Sequence, residues 1–190
     1  MYEISDIKND SRFYIDDYNL NRLFVREKFG RERYEVIDIQ VGFILRRLEG
    51  KISTLYDTDV YSFLAGTKEG IQRYNDYCEK YPITHKNADR YYSLVTKLQT
   101  VDYDIKKGAI VIDENNFILD GMHRSCITLN KYGPFHKVKV VKCISGNRYG
   151  KKYRLKIMYY KSAALVKCLL EYTKYLSGKY RYENPKKVEA

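Results

Sequence analysis

The sequence predicts an α+β protein. It divides into a helical N-terminal region over residues 1–82, a small mixed α/β core over 83–146, and a basic C-terminal helix with its tail over 147–190. The three parts read as one compact unit. Three observations predict this class. Apolar residues in the N-terminal part recur at three- and four-residue spacing, the period of a helix face. The middle part places two short apolar runs around a polar turn, then a helix pattern, then a valine-rich run. The last part sets Leu165, Leu169, Tyr172 and Leu176 among lysines, the pattern of a long amphipathic helix.

The elements follow in chain order. Leu20, Leu23, Phe24 and Phe29 mark a helix ending at Gly30. Tyr34, Ile37, Val41, Ile44 and Leu48 predict a second helix, closed by Gly50. Asp57 or Thr58 caps a short helix through Leu64, stopped by Gly66. Thr67 caps the next, with Ile71, Tyr74, Cys78 and Tyr81 in phase and Pro82 as its end. Asn87 caps a helix bearing Ala88, Tyr91, Val95 and Leu98. Lys106-Lys107-Gly108 is a turn. Ala109 to Ile112 and Phe117 to Leu119 are strands joined through Asp113-Glu114-Asn115-Asn116, which makes a hairpin. A helix then carries Met122, Cys126 and Leu129 and stops at Tyr132-Gly133-Pro134. Val138 to Ile144 is the last strand and Gly146 to Gly150 a loop. The final helix begins near Lys156, and Tyr180 to Ala190 reads as a frayed tail.

Composition narrows the function classes. A chain of 190 residues can bury one good core, and 44% hydrophobic with 31% charged residues is ordinary for a globular protein. The 21 tyrosines, with no tryptophan, bury rings while keeping hydroxyls wet. That is a packing trait before it is a platform for stacking sugars or bases. Cys78, Cys126, Cys143 and Cys168 form no Cys-x-x-Cys pair, and with three histidines a zinc cage is not expected. They read as free thiols in a reducing compartment. Met1 to Asp6 shows no apolar stretch behind a basic start, so the expected location is the cytoplasm. The net charge of +11 is uneven: residues 131–190 hold 16 basic against 3 acidic side chains. Such a block attracts phosphorylated ligands, nucleic acid or anionic lipid headgroups, and it can equally be a solvated face. A peripheral position at the inner membrane face is therefore part of the expectation.

The richest stretch is Phe117-Ile118-Leu119-Asp120-Gly121-Met122-His123-Arg124-Ser125. An apolar run stops at Asp-Gly and a helix opens with His and Arg in its first turn. A helix start offers unpaired N–H groups and partial positive charge, which suit a phosphate. Gly121 permits close approach or a positive φ. His123 and Arg124 bring donors, and Asp120 can hold magnesium or orient a hydroxyl. Each also has a structural reading. His123 can be a core histidine satisfied by its surroundings, Arg124 can pair with Asp120, and Asp120 can be a helix cap.

With its flanks, from about Ile83 to Ile144, this stretch resembles the ParB/sulfiredoxin superfamily. Ile118-Leu119-Asp120-Gly121-Met122-His123-Arg124 is similar to its hallmark strand-to-helix motif, with Gly133, Val138-Lys139-Val140-Val141 and the upstream strand Ala109 to Asp113 in the matching places. Met122 stands where sulfiredoxin needs its cysteine, and the partition branch's glutamate is missing, as is its helix-turn-helix reader. The resemblance therefore implies the kinase-like branch. It implies ATP or ADP with Mg2+, the phosphates held by Gly121, Met122, His123, Arg124 and Ser125, the metal at Asp120, and catalytic parts for Asp120 and His123. The upstream acidic residue of that branch has its best-placed candidates in Asp102 and Asp104, ahead of Glu79 and His85. A looser likeness to small ParB-like proteins of bacterial surface-polysaccharide synthesis implies a small hydroxylated or sugar acceptor. A nucleic-acid-binding module and a nucleotide-sensing subunit without turnover remain as alternatives.

Overall fold

Residues 137–144 alternate so that Val138 and Val140 face one way while Val141 and Cys143 face the other, and all four are buried. A strand apolar on both faces belongs inside a covered sheet. The computed structural model describes residues 4–26, 33–64, 66–80, 93–97, 100–144 and 150–177. Its elements are α1 (Ile4–Lys8), α2 (Asp17–Arg26), β1 (Arg33–Gln40), β2 (Leu45–Leu48), β3 (Lys51–Thr54), α3 (Asp59–Phe63) and α4 (Lys68–Lys80). Then come β4 (Val111–Asp113), β5 (Ile118–Asp120), α5 (Met122–Tyr132), β6 (Lys137–Ile144) and α6 (Lys151–Leu176). Short 3-10 turns cover Val41–Phe43, Leu55–Asp57 and Ile105–Lys107, and residues 93–97 are helical.

The main sheet runs β1-β6-β4-β5. β6 is antiparallel to β1 and parallel to β4, and β4–β5 is the expected hairpin. One face carries α3, α4 and α5 over Val60, Phe63, Tyr74, Ile110, Ile112 and Cys126. The other is covered from the N-terminal segment, where Ile7, Phe13, Leu20 and Leu23 pack on Val111, Val141 and Cys143. The mixed α+β class and the long C-terminal helix are as expected.

The caps foreseen in α3 and α4 are present. Thr58 Oγ1 accepts the Tyr61 N–H at 3.1 Å, and Thr67 Oγ1 accepts the Gly70 N–H at 3.0 Å. Helix α5 ends at Tyr132, with Gly133 at φ 80 donating its N–H to Leu129 O. The expectations for Phe29, Gly30, Pro82, Asn87, Ala88, Tyr91, Leu98, Gly146 and the tail from Tyr180 fall outside the described residues.

The helix expected over Tyr34 to Leu48 is instead β1, a 3-10 turn and β2, and β3 follows. The region 1–82 is thus not purely helical. Its β1 completes the sheet of the core, so the sheet crosses the boundary drawn at residue 83. The physical reason is two-sided burial. Ile37 and Ile39 pack into one core, Tyr34 and Val36 into the other. Apolar residues at both parities imitate a three-four spacing. The β-branched run Val36, Ile37, Ile39, Val41 was the better signal. Glu49-Gly50 was another: both residues take positive φ, 50° and 75°, between the paired Leu48 and Lys51. That is the geometry of a two-residue hairpin turn.

Helix α6 begins at Lys151 and docks through Ile157 and Ala164 onto Leu45, Ile52 and Phe117. Cys168 Sγ donates to Gly42 O at 3.4 Å. A Cβ on Gly42 would stand 2.5 Å from that sulfur, so only glycine admits the helix there. The leucines that marked this helix do not dock. Leu165, Leu169 and Leu176 are 43%, 51% and 66% exposed.

Candidate functional site

The β5–α5 junction begins with Gly121. Its φ of 84° is left-handed, and as the N-cap residue of α5 it offers the helix no capping side chain. The first turn of α5 therefore presents the positive end of the helix with no side-chain cap from its N-cap residue. A Cβ on Gly121 would meet Ile110 Cα at 2.9 Å and Ala109 O at 3.1 Å. Glycine is required here by conformation and by space.

Arg124 turns back across this turn. Its Nη1 donates to Ala109 O at 2.8 Å. A Cβ on Gly108 would stand 2.9 Å from Arg124 Nε, so the Lys106-Lys107-Gly108 turn makes room for the guanidinium. His123 Nε2 shares a hydrogen bond of 2.7 Å with the Tyr74 hydroxyl of α4, ring edge to ring face. Tyr74 is fully buried, and its hydroxyl pKa is raised by burial. Met122 packs on the main core, while Ser125 is buried and its Oγ donates to Gly121 O at 3.0 Å.

Asp120 does not cap α5. Its Oδ1 lies 3.4 Å from Arg22 Nη2, which also donates to Leu119 O at 3.2 Å. Burial raises the Asp120 pKa; Arg124, Arg22 and the Gly121 N–H pull it back, and Asp16 pushes it up again. Arg22 Nε is buried and lacks a hydrogen-bond partner among the described residues. A guanidinium left with an unused donor beside an uncapped helix start is an arrangement suited to an anion.

Of the expected residues, the structure brings together Asp120, Gly121, Met122, His123, Arg124 and Ser125. It does not bring Asp102 to them. That carboxylate accepts from Lys131 Nζ at 3.1 Å and from the Tyr132 hydroxyl, at the far end of α5. Eleven residues of helix put it about 15 Å from the junction. Asp104 accepts the Lys106 N–H at 2.9 Å and opens the 3-10 turn before Gly108. Glu79 lies in α4, and His85 is outside the described residues.

Sequence reading missed Arg22, Asp16, Tyr74 and Gly108 as neighbours of the motif. Asp16 caps α2, accepting the Asn19 N–H at 2.9 Å and its Nδ2 at 2.7 Å. Arg22 reaches Asp120 across 98 positions, and no local spacing signals such a contact. The pairing of Tyr14 with Ile105 and Ala109 brings it there by tying the N-terminal segment to the start of β4.

Among the described residues no group of three or more His, Cys, Asp or Glu could hold a metal ion. Magnesium usually takes only one or two carboxylates and completes its shell with phosphate and water. Asp120 fits that partial role, with Asp16 in electrostatic reach, provided the Arg22 contact yields. A cleft of about 340 Å³ opens elsewhere, between α6 and the sheet, lined by Lys161, Phe43 and Asn116 and by none of the motif residues. Compared with known protein families, curated protein sequences and solved structures, the chain matches none of them.

Proposed function

We propose that this chain is a nucleotide-dependent phosphotransferase that takes ATP with Mg2+ and phosphorylates a hydroxyl of a small molecule or sugar, as the kinase-like branch of the ParB/sulfiredoxin superfamily does. One observation carries the reading: a helix N-terminus that opens on Gly121 without a capping side chain there, bordered by Arg22, Arg124 and His123, with the carboxylate of Asp120 beside it. Phosphoryl transfer asks mainly for positioning and charge neutralisation, and this set has the chemistry for both.

In this reading the first-turn N–H groups of α5 bind phosphate oxygens. Arg22 contributes the guanidinium, whose Nε has no hydrogen-bond partner among the described residues. Arg124, held to Ala109 O and wedged between Gly108 and Gly121, fixes the turn and adds positive charge. Tyr74 fixes the ring of His123. Asp120 carries the metal or the acceptor proton, Met122 and Ser125 act through their backbone and packing, and Asp104 shapes the adjoining turn. Magnesium, when bound, neutralises phosphate charge.

The test is ATP turnover across a panel of hydroxylated small molecules and sugars. ATP consumption that requires an acceptor, and that drops at least about tenfold in Arg22→Met while the fold persists, supports the reading; loss of one charge-assisted donor sets that scale. A second reading, a nucleotide-sensing protein without turnover, is favoured by the distance of Asp102 from the junction. Tight ATP binding with no consumption under any acceptor would select it.

A further inference from the structure

Helix α6 turns an apolar face to water. Between Leu155 and Leu176 the side opposite its docked residues carries Leu155, Met158, Tyr159, Val166, Leu169 and Leu170, each more than half exposed. At about 100° per residue these share one side of the helix, and Ile157, Ala164 and Cys168 occupy the other. Leu155, Leu169 and Leu176 lie at multiples of seven, with the exposed Ser162 at the step between the first two, so the apolar positions keep to one side along the helix. An apolar surface of this length on a water-exposed helix marks a site of association.

Charge decides what covers it. From Lys151 to Lys174 the helix carries Lys151, Lys152, Arg154, Lys156, Lys161, Lys167 and Lys174 against one acid, Glu171. Glu171 is already paired with Lys174 at 2.7 Å, and its side chain is only 17% exposed. Lys151, Lys152 and Arg154 are exposed in the first turn and have no ion-pair partner among the described residues. A second copy of this helix would set lysine against lysine along both flanks. The complementary surface is negative outside and apolar beneath. Among the described residues no helix is long and apolar enough to cross a membrane, so this one would lie on it.

We infer that the outward face of α6 is a docking surface for an anionic lipid bilayer. Leu155, Met158, Leu169 and Leu176 enter the headgroup boundary. Tyr159 sits at its level, and Lys151, Lys152 and Arg154 reach the lipid phosphates along their flexible stems. Two signals, apolar area and basic charge, act together, as stable peripheral binding requires. The inference stands apart from the nucleotide reading, since no motif residue takes part.

The experiment is vesicle co-sedimentation of the full chain, with phosphatidylcholine vesicles alone and with phosphatidylcholine mixed with phosphatidylglycerol. The protein is expected to pellet with the mixed vesicles and to be released by salt. Leu169→Asp, at an exposed position, abolishes pelleting with an unchanged melting temperature. Lys151→Gln with Lys152→Gln lowers the partition on the order of thirtyfold, from the strength of each lysine near an anionic surface. Failure to pellet with mixed vesicles overturns the inference. So does equal pelleting with neutral vesicles, or a dimer in sedimentation equilibrium that Leu169→Asp splits.

Discussion

The β5–α5 junction and the outward face of α6 invert the usual arrangement in opposite ways. At the junction, polar and charged groups are drawn inward: Ser125 and Tyr74 are buried, and burial raises the Asp120 pKa. On α6, leucine, methionine and valine stand in water. Exposed single apolar residues are common, but six large ones on one side of a helix are not, and buried polar groups persist only when satisfied. The difference separates two kinds of readiness. The junction is held in shape by its internal bonds, with the buried Arg22 Nε unpaired among the described residues, and α6 is held by one face while the other waits.

Substitutions of the groups that shape the junction should therefore destabilise the protein more than substitutions on outward α6. The largest expected effect is Gly121→Ala. A left-handed φ with a Cβ 2.9 Å from Ile110 Cα should cost about 3 kcal/mol, read as a drop in the urea midpoint.

Next is a pH effect at the hairpin turn that presents the junction. Asp113 is buried, and its carboxyl is raised to about 6 by burial, against the N–H bonds from Phe117 and Asn115. Because the folded pKa lies above the unfolded one, the folded state binds the proton more tightly. The stability that Asp113 contributes is full below about pH 4 and is lost as pH rises through 6, about 2–3 kcal/mol in all. Asp120, raised in the same direction, adds to the fall. Asp10, lowered to about 2 chiefly by its hydrogen bond to Arg12, gives the opposite slope below about pH 4, so the windows separate. The substitution Asp113→Asn keeps a side-chain oxygen for the Asn115 and Phe117 N–H groups, which Asp113 Oδ1 accepts at 2.8 and 2.9 Å, and removes the titrating proton. Urea melts between pH 4 and 7 should lose most of the slope in that variant, on the order of the shift above.

A smaller effect is expected from Tyr74→Phe. It removes the bond to His123 and should cost about 1 kcal/mol by thermal melt. The smallest is Leu169→Asp, within about 0.5 kcal/mol of wild type, since the side chain loses little contact. A large loss there would mean that the stripe is packed in solution, and the contrast between the regions would fail.

How much of this was legible follows from where each signal sits. The hairpin, α5 and β6 were readable because turn residues and caps are local: Asp113 to Asn116, Gly133 and the valine run each act within a few positions. The caps Thr58 and Thr67 were readable for the same reason. β1 was not, because its burial on two faces hid the alternation, and its partner β6 lies about a hundred residues away. The motif turn was legible in the site, but Arg22 and Asp16 were not, since they arrive by tertiary packing. The outward stripe of α6 is legible in the sequence only as the period of a helix. Periodicity reports that one face is apolar; it does not report which face docks, and Gly42 with Cys168 decided that.

The most direct test of the central claim follows the amide resonances of the folded wild-type chain as ADP and Mg2+ are added. The account predicts that the signals of Met122, His123 and Arg124 shift together with the Arg22 side-chain Nε–H, while those of Lys131 and Tyr132 at the other end of α5 stay in place. Unmoved junction signals, or shifts confined to the lysines of α6, would contradict it.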